Sequence, residues 1–314
     1  MPFGTVTLND GNEFPTIAFG TGSTMKFKDV TDYVGQAIDN GFSHIDTAQF
    51  YQTENYVGLA IKESGLPRSS LYITTKYSGT GTPLQAIQQS LNKIGLSYLD
   101  LYLVHFTSAL PDFESGWQEF EQMKKDGLTR SIGVSNFTME DLQKLLKTAV
   151  TKPAVNQIPF HPYNYASHKA LLVYCAKQNI IVEAYGSLNS ITQNPGGPVD
   201  AVVNAAAKRI GATPNQVIFS WVRSKGVAIV TTSRTKERLQ EYLAVEDLPS
   251  LTAEEIAAID EAGAKGPPSQ LMVARLAMQH KFQRVPSLFV WLVLAVIFGL
   301  VRFFMFWSRT GDIQ

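Results

Sequence analysis

Residues 71–105 read LYITTKYSGTGTPLQAIQQSLNKIGLSYLDLYLVH. Two β-rich runs, 71–77 and 99–105, flank PLQAIQQSLNKIG, where apolar residues recur at three- and four-residue steps. Gly95 closes that helical pattern, as glycine often does at a helix C-terminus. The stretch is therefore one strand–helix–strand step of an α/β fold.

The same alternation runs outward in both directions. Strands are expected at 17–20, 42–47, 71–77, 99–105, 130–135, 154–158, 180–185 and 227–231. Helical patterns such as VTDYVGQAIDN, NYVGLAIKESG, WQEFEQMKKDG and MEDLQKLLKTA lie between them. Eight strands each followed by a helix make a (β/α)8 TIM barrel. The rival, a doubly wound open sheet, calls for G-x-G-x-x-G after a strand, and no strand here is followed by one. Ahead of the barrel, TVTLNDGNEFPTIAF sets Asp10-Gly11 between two alternating runs, which predicts an N-terminal β-hairpin. Beyond it, TAEEIAAIDEAG reads as a surface helix with Thr252 as N-cap and Glu255 three residues on.

Four polar side chains sit at or just after strand ends: Asp46 and Tyr51 in FSHIDTAQFY, Lys76 in LYITTKY and His105 in LDLYLVH. In such a barrel the C-terminal ends of the strands converge on one face, where active sites are built. A phenol holds its proton until about pH 10. A nearby ammonium favours the phenolate and lowers that value. Lysine beside tyrosine, aspartate to balance the lysine, and histidine to position a carbonyl oxygen are the parts of a carbonyl proton-donor site.

The chain has 314 residues with 27 basic and 27 acidic side chains, so its formal charge gives no reason to expect a nucleic-acid partner. The one cysteine, Cys175 in LLVYCAKQ, forms no internal disulfide and no cysteine zinc set, and is read as a buried structural thiol. No metal is expected. MPFGTVTLNDG has neither a basic start nor an apolar core, so it is not a secretory signal. The other end reads VPSLFVWLVLAVIFGLV over Val285–Val301, then Arg302 and FFMFW, with Trp291 and Trp307 near the two ends. A run of about twenty apolar residues spans a bilayer core, and interfacial tryptophans and a snorkelling arginine suit its ends. The expected organisation is a barrel over 1–263, a linker over 264–284, a transmembrane tail anchor over 285–307 and a polar end over 308–314. The expected location is a membrane, held by a single C-terminal pass with the catalytic domain in the cytosol, as a monomer or weak dimer.

Several widely spaced motifs occur in one order: GFSHIDTAQFY, LYITTKY, LDLYLVH, GLTRSIGVSNF, PAVNQIPFHPY, IVEAYGSL and IVTTSRTKERLQEYL. Over residues 5–263 they resemble the aldo-keto reductase superfamily, whose members reduce aldehydes and ketones with a nicotinamide cofactor and no metal. The resemblance makes Tyr51 the proton donor, Lys76 the group that lowers its pKa, Asp46 the partner of Lys76 and His105 the carbonyl-binding residue. It assigns the nicotinamide carboxamide to Ser135, Asn136 and Gln157, the nicotinamide ring to Tyr185, and further cofactor contacts to Thr21, Ser187 and Leu188. It assigns the adenosine-phosphate end to Thr232, Ser233, Arg234 and Arg238, with Lys236 nearby and Glu241 at the adenine amine. The family's usual Y-S-P-L-G is Tyr185-Gly186-Ser187-Leu188 here, and Thr232 stands where a phosphate-binding lysine is common. Tyr242 replaces a common asparagine. Arg238 keeps NADPH favoured over NADH. Phe50, His105 and Phe106 are expected to line the substrate pocket, with Phe19 or Thr21, Tyr77 and Phe113 as further candidates. The Thr-Thr-Ser form and short loops resemble a microbial branch that acts on α-keto amides and β-keto esters. Two other functions remain open: an NAD-preferring alcohol dehydrogenase of the same fold, and a cofactor-sensing subunit of a membrane complex that performs no turnover.

Overall fold

The computed structural model describes residues 4–269. Ten strands are present among the described residues: β1 (Thr5–Thr7), β2 (Glu13–Pro15), β3 (Ile17–Gly20), β4 (His44–Asp46), β5 (Tyr72–Tyr77), β6 (Leu99–Val104), β7 (Thr129–Ser135), β8 (Val155–Pro159), β9 (Ile181–Tyr185) and β10 (Ala228–Thr231). The α-helices among the described residues are α1 (Thr31–Asp39), α2 (Glu54–Glu63), α3 (Pro83–Ile94), α4 (Phe113–Lys125), α5 (Met139–Leu145), α6 (Pro162–Gln178), α7 (Asn189–Thr192), α8 (Pro198–Ile210), α9 (Pro214–Ser224), α10 (Lys236–Leu243) and α11 (Ala253–Ala264). Strands β3 to β10 close a parallel barrel in the order β10-β3-β4-β5-β6-β7-β8-β9. The eight expected strands are the eight barrel strands.

Every residue of β4, β5 and β6 is buried. A parallel strand covered on both faces reads as a near-continuous apolar run, which is why these strands stand out in the sequence. Side-chain chemistry also fixes helix starts. Thr82 accepts from the Gln85 amide and Gln85 accepts in return from the Thr82 amide, both at 3.2 Å, with Pro83 opening α3. Thr252 and Glu255 cap α11 in the same reciprocal way, as the sequence predicts.

Strands β1 and β2 pair antiparallel around a turn in which Gly11 adopts φ +84°, the left-handed region that glycine enters freely. This hairpin carries Phe14, fully buried with its ring edge-on to His44 at 5.2 Å and to Tyr72 at 5.5 Å. Leu8, Phe14, Tyr72, Leu101, Leu103 and Val155 form one apolar cluster there, a plug at the N-terminal end of the barrel. The larger core lies between barrel and helices and includes the stacked pairs Trp117–Phe120 and Phe160–Trp221. Cys175 belongs to it, fully buried, its thiol pushed up to about 12 by that burial, so it is structural. The loops after the strands are left as the place for chemistry.

One part of the expected fold class is corrected. Among the described residues no helix is long and apolar enough to cross a membrane. The expected span, 285–307, lies outside those residues, as do 270–284 and 308–314. The barrel and its hairpin stand. The C-terminal transmembrane helix, and with it the single-pass membrane location facing the cytosol, is withdrawn, because hydropathy of a run reports composition and no described helix supports a span.

Candidate active site

Asp46 ends β4, Tyr51 closes the short turn Gln49–Tyr51, Lys76 lies near the end of β5, and His105 follows β6. The fold brings all four together. Lys76 is fully buried, and its ammonium donates to both Asp46 carboxylate oxygens at 2.6 Å and to the Thr47 carbonyl at 2.9 Å. It lies 5.2 Å from the centre of the Tyr51 ring. Tyr51 meets His105 edge-to-face at 5.4 Å between ring centres. Gly22 makes room for this arrangement, since a Cβ there would stand 3.1 Å from Tyr51 Cζ.

Burial disfavours the Lys76 cation, but Asp46, with Tyr51 and Glu183, outweighs it and holds the lysine pKa above its ordinary value. Burial pushes the Tyr51 phenol up; Lys76 pulls it down, and Asp46 and Glu183 push it up again. The net direction is upward: the lowering expected of Lys76 is present, but desolvation is larger. Burial, then Lys76 and Lys26, lower His105 to about 2, so its imidazole is neutral.

A second buried carboxyl, Glu183 in the middle of β9, shares this interior. Gln157 donates to Asp46 Oδ2 at 2.9 Å and to Glu183 Oε2 at 2.7 Å, which leaves its amide oxygen for a ligand. Glu183 Oε1 is buried without a partner. Burial and Asp46 raise Glu183 to about 8. Burial thus favours the protonated form of Glu183 beside the Lys76–Asp46 pair.

Of the expected cofactor residues, Ser135 donates to the Gln157 carbonyl, and Asn136, at φ +61°, donates to the His105 carbonyl and Ser135 Oγ. Asn136 Oδ1 accepts from the Tyr185 hydroxyl at 2.7 Å, which steadies a Tyr185 ring that is 36% exposed at the mouth. Ser187 Oγ is buried with no partner. Leu188 packs against the core. Thr21 is buried, bonded to the Asp46 carbonyl and to Thr47 and Thr53. After β10, Thr232 touches Met25 and Ser233 caps its own turn through Thr235. Arg234, Lys236 and Arg238 are exposed, and among the described residues none of them makes an ion pair. Glu241 is engaged by Thr213 and Asn215, and Tyr242 is buried edge-on to Phe219 at 5.0 Å. An exposed aromatic face, an orphaned buried hydroxyl, an amide oxygen and unpaired cations form one donor set whose chemistry fits a phosphorylated dinucleotide.

On the substrate side, Phe50 is 48% exposed, 6.4 Å from both His105 and Phe106, and Phe106 stacks on His105 at 3.9 Å. Phe19 packs on Phe42, Phe113 on Phe137, and Tyr77 bonds the Gly81 carbonyl; all three serve packing rather than the mouth. Residues the sequence reading did not single out also face this region. Lys26 lies over the rings of Phe50 at 5.3 Å and Tyr51 at 5.0 Å, Phe27 meets Phe50 at 5.9 Å, and Ser78 bonds His105. Glu183 alone had a visible signal, a carboxylate inside the apolar strand IIVEAY.

The aldo/keto reductase family model matches residues 1–264. An NAD/NADP-dependent indole-3-acetaldehyde reductase of Schizosaccharomyces pombe is 38% identical, over 82% of this chain and 93% of that protein. An NADPH-dependent alpha-keto amide reductase of Saccharomyces cerevisiae is 34% identical, over 88% and 96%. A Bombyx mori aldo-keto reductase solved in complex with NADP superposes with a TM-score of 0.75 at 33% identity, over 83% of this chain and 92% of that one.

Proposed function

Because this chain belongs to the aldo/keto reductase family and is an NAD(P)H-dependent oxidoreductase, we propose that it reduces aldehydes and ketones with NADPH and that Tyr51 gives the proton. The observation that carries this reading is the buried ion pair of Lys76 and Asp46 set against the Tyr51 ring, with neutral His105 alongside. When bound, the reduced nicotinamide supplies a hydride to the carbonyl carbon. Tyr51 protonates the carbonyl oxygen as general acid. His105 donates a hydrogen bond to the same oxygen, and that bond strengthens as negative charge develops. Lys76 stabilises the phenolate that forms, and Asp46 keeps the lysine in place.

Tyr185, Ser187 and the Gln157 amide oxygen would hold the nicotinamide side. Arg234, Lys236 and Arg238 would take the phosphates, where a guanidinium offers paired donors. Phe27, Phe50 and Phe106 favour a carbonyl that carries an aromatic or acyl group, which agrees with the aldehyde and keto-amide named for the two fungal relatives.

The test is oxidation of NADPH and of NADH by the full chain with indole-3-acetaldehyde, an α-keto amide and an α-keto ester. Tyr51→Phe should lower kcat by about 10²–10⁴-fold, the usual worth of a positioned proton donor. Equal turnover in Tyr51→Phe would remove the proton-donor role. A rate ratio in favour of NADH would move the assignment to an NAD-preferring dehydrogenase, and tight NADPH binding without turnover would move it to a sensing role.

A further inference from the structure

The imidazole of His105 has two faces of contact. Phe106 stacks on one face at 3.9 Å and 13°, and Tyr51 and Phe50 meet the ring edge-on. These contacts hold the ring plane but not its proton. A neutral imidazole carries its hydrogen on either nitrogen, and the choice follows the bond made by the other nitrogen. Only the tautomer with hydrogen on Nε2 donates to a carbonyl oxygen when Nδ1 is occupied by the protein.

Nδ1 is occupied by Ser78, whose Oγ lies 2.9 Å away. The direction of that bond follows from what else Ser78 does. Its Oγ accepts from the Phe50 backbone amide at 3.2 Å. A hydroxyl has one hydrogen, and among the described contacts of Ser78 Oγ the one group able to receive it is Nδ1. The arrangement that uses this hydrogen within the protein has the serine donating and Nδ1 accepting. Ser78 is itself fixed, because its own backbone amide donates to Gln49 Oε1 at 3.0 Å and Gln49 Nε2 donates to the Thr80 carbonyl at 3.1 Å. Gln49, Phe50 and Tyr51 are one turn. The turn that carries the phenol thus orients the serine, and the serine orients the imidazole.

From this geometry we infer that Ser78 is a positioning residue for carbonyl reduction: it holds His105 as the Nε2–H tautomer and ties that donor to the loop bearing Tyr51. The inference deepens the reductase reading and rests on it for its catalytic consequence, but the tautomer is measurable by itself. The experiment is nitrogen-15 NMR of the imidazoles in the full chain, with the His105 signal assigned from His105→Gln, alongside kcat and KM for wild type, Ser78→Ala and Ser78→Thr. The wild type should show a single Nε2–H tautomer at His105. Ser78→Ala should show a shift of population toward Nδ1–H and a loss in kcat of about tenfold, one interaction's worth in the transition state, with a smaller change in KM. Ser78→Thr, which keeps the hydroxyl, should retain the tautomer and most of kcat. A wild-type Nδ1–H signal would overturn the inference without any variant, and so would Ser78→Ala with an unchanged tautomer and unchanged kcat. Should Ser78→Ala fail to fold, Ser78→Cys, a weak donor, gives the same readout. A wild type that reduces no carbonyl would sink the reductase reading while the tautomer still reports on Ser78.

Discussion

The two sides of the barrel mouth are held in opposite ways. Around β4, β5 and β6 the polar groups are buried and bonded to one another: Lys76 to Asp46 and Thr47, Asp46 to Gln157, His105 to Ser78. After β9 and β10, Tyr185, Arg234, Lys236 and Arg238 are exposed and Ser187 Oγ is buried without a partner. The first side is organised before anything binds, so its dipoles need no rearrangement as charge develops. The second offers groups that a ligand completes, and its interactions are exposed to solvent and salt.

That contrast breaks most readily at Lys76. Lys76→Met leaves Asp46 buried without its cation, and removal of one partner of a buried pair costs about 3–5 kcal/mol. Urea unfolding should show that loss together with near-complete loss of carbonyl reduction. The double variant Asp46→Asn/Lys76→Met removes both charges and should recover much of the stability but none of the activity. If the single variant unfolds at the wild-type midpoint, the buried side is not organised by this pair.

Glu183 sharpens the same side, with a smaller effect. Its folded pKa of about 8 stands above the ordinary 4.5, so the folded protein favours the protonated carboxyl. Its contribution to stability is complete below about pH 4.5 and is lost as pH rises toward 8. Glu183→Gln keeps an oxygen for Gln157 and cannot ionise. The difference in unfolding free energy between pH 5 and pH 8 should be smaller in the variant than in wild type, by on the order of 3 kcal/mol. The same pH dependence in both proteins would place the titration elsewhere.

Legibility in the sequence divides along similar lines. Strand positions could be read because both faces of each strand are covered, and Asp46, Tyr51, Lys76 and His105 because strand ends converge in a barrel. Ser78 was not legible, since its role depends on a contact 27 residues away in the chain that only loop geometry makes. Phe19 and Phe113 were expected at the mouth but pack on Phe42 and Phe137, because a residue type near a strand end does not reveal which way its side chain points. The engagement of Glu241 with Thr213 and Asn215 likewise comes from helix packing rather than from local sequence. The apolar tail was read from its length and from Trp291, Arg302 and Trp307 near its ends, features of composition that no helix among the described residues supports.

The exposed side gives the smallest effect and the most selective one. Arg238, in the first turn of α10, makes no ion pair among the described residues, so its replacement leaves no buried charge behind and should leave stability unchanged. If it grips the phosphate that distinguishes NADPH from NADH, Arg238→Ala should weaken NADPH binding about tenfold, or about 1.4 kcal/mol, and leave NADH binding as it was. Raising salt should weaken NADPH binding to wild type more steeply than to the variant, because an exposed guanidinium–phosphate contact is screened. Fluorescence titration of both cofactors at two salt concentrations measures all four quantities. An equal loss for NADPH and NADH would put Arg238 on the shared pyrophosphate instead, and no loss for either would leave cofactor choice to Arg234 and Lys236.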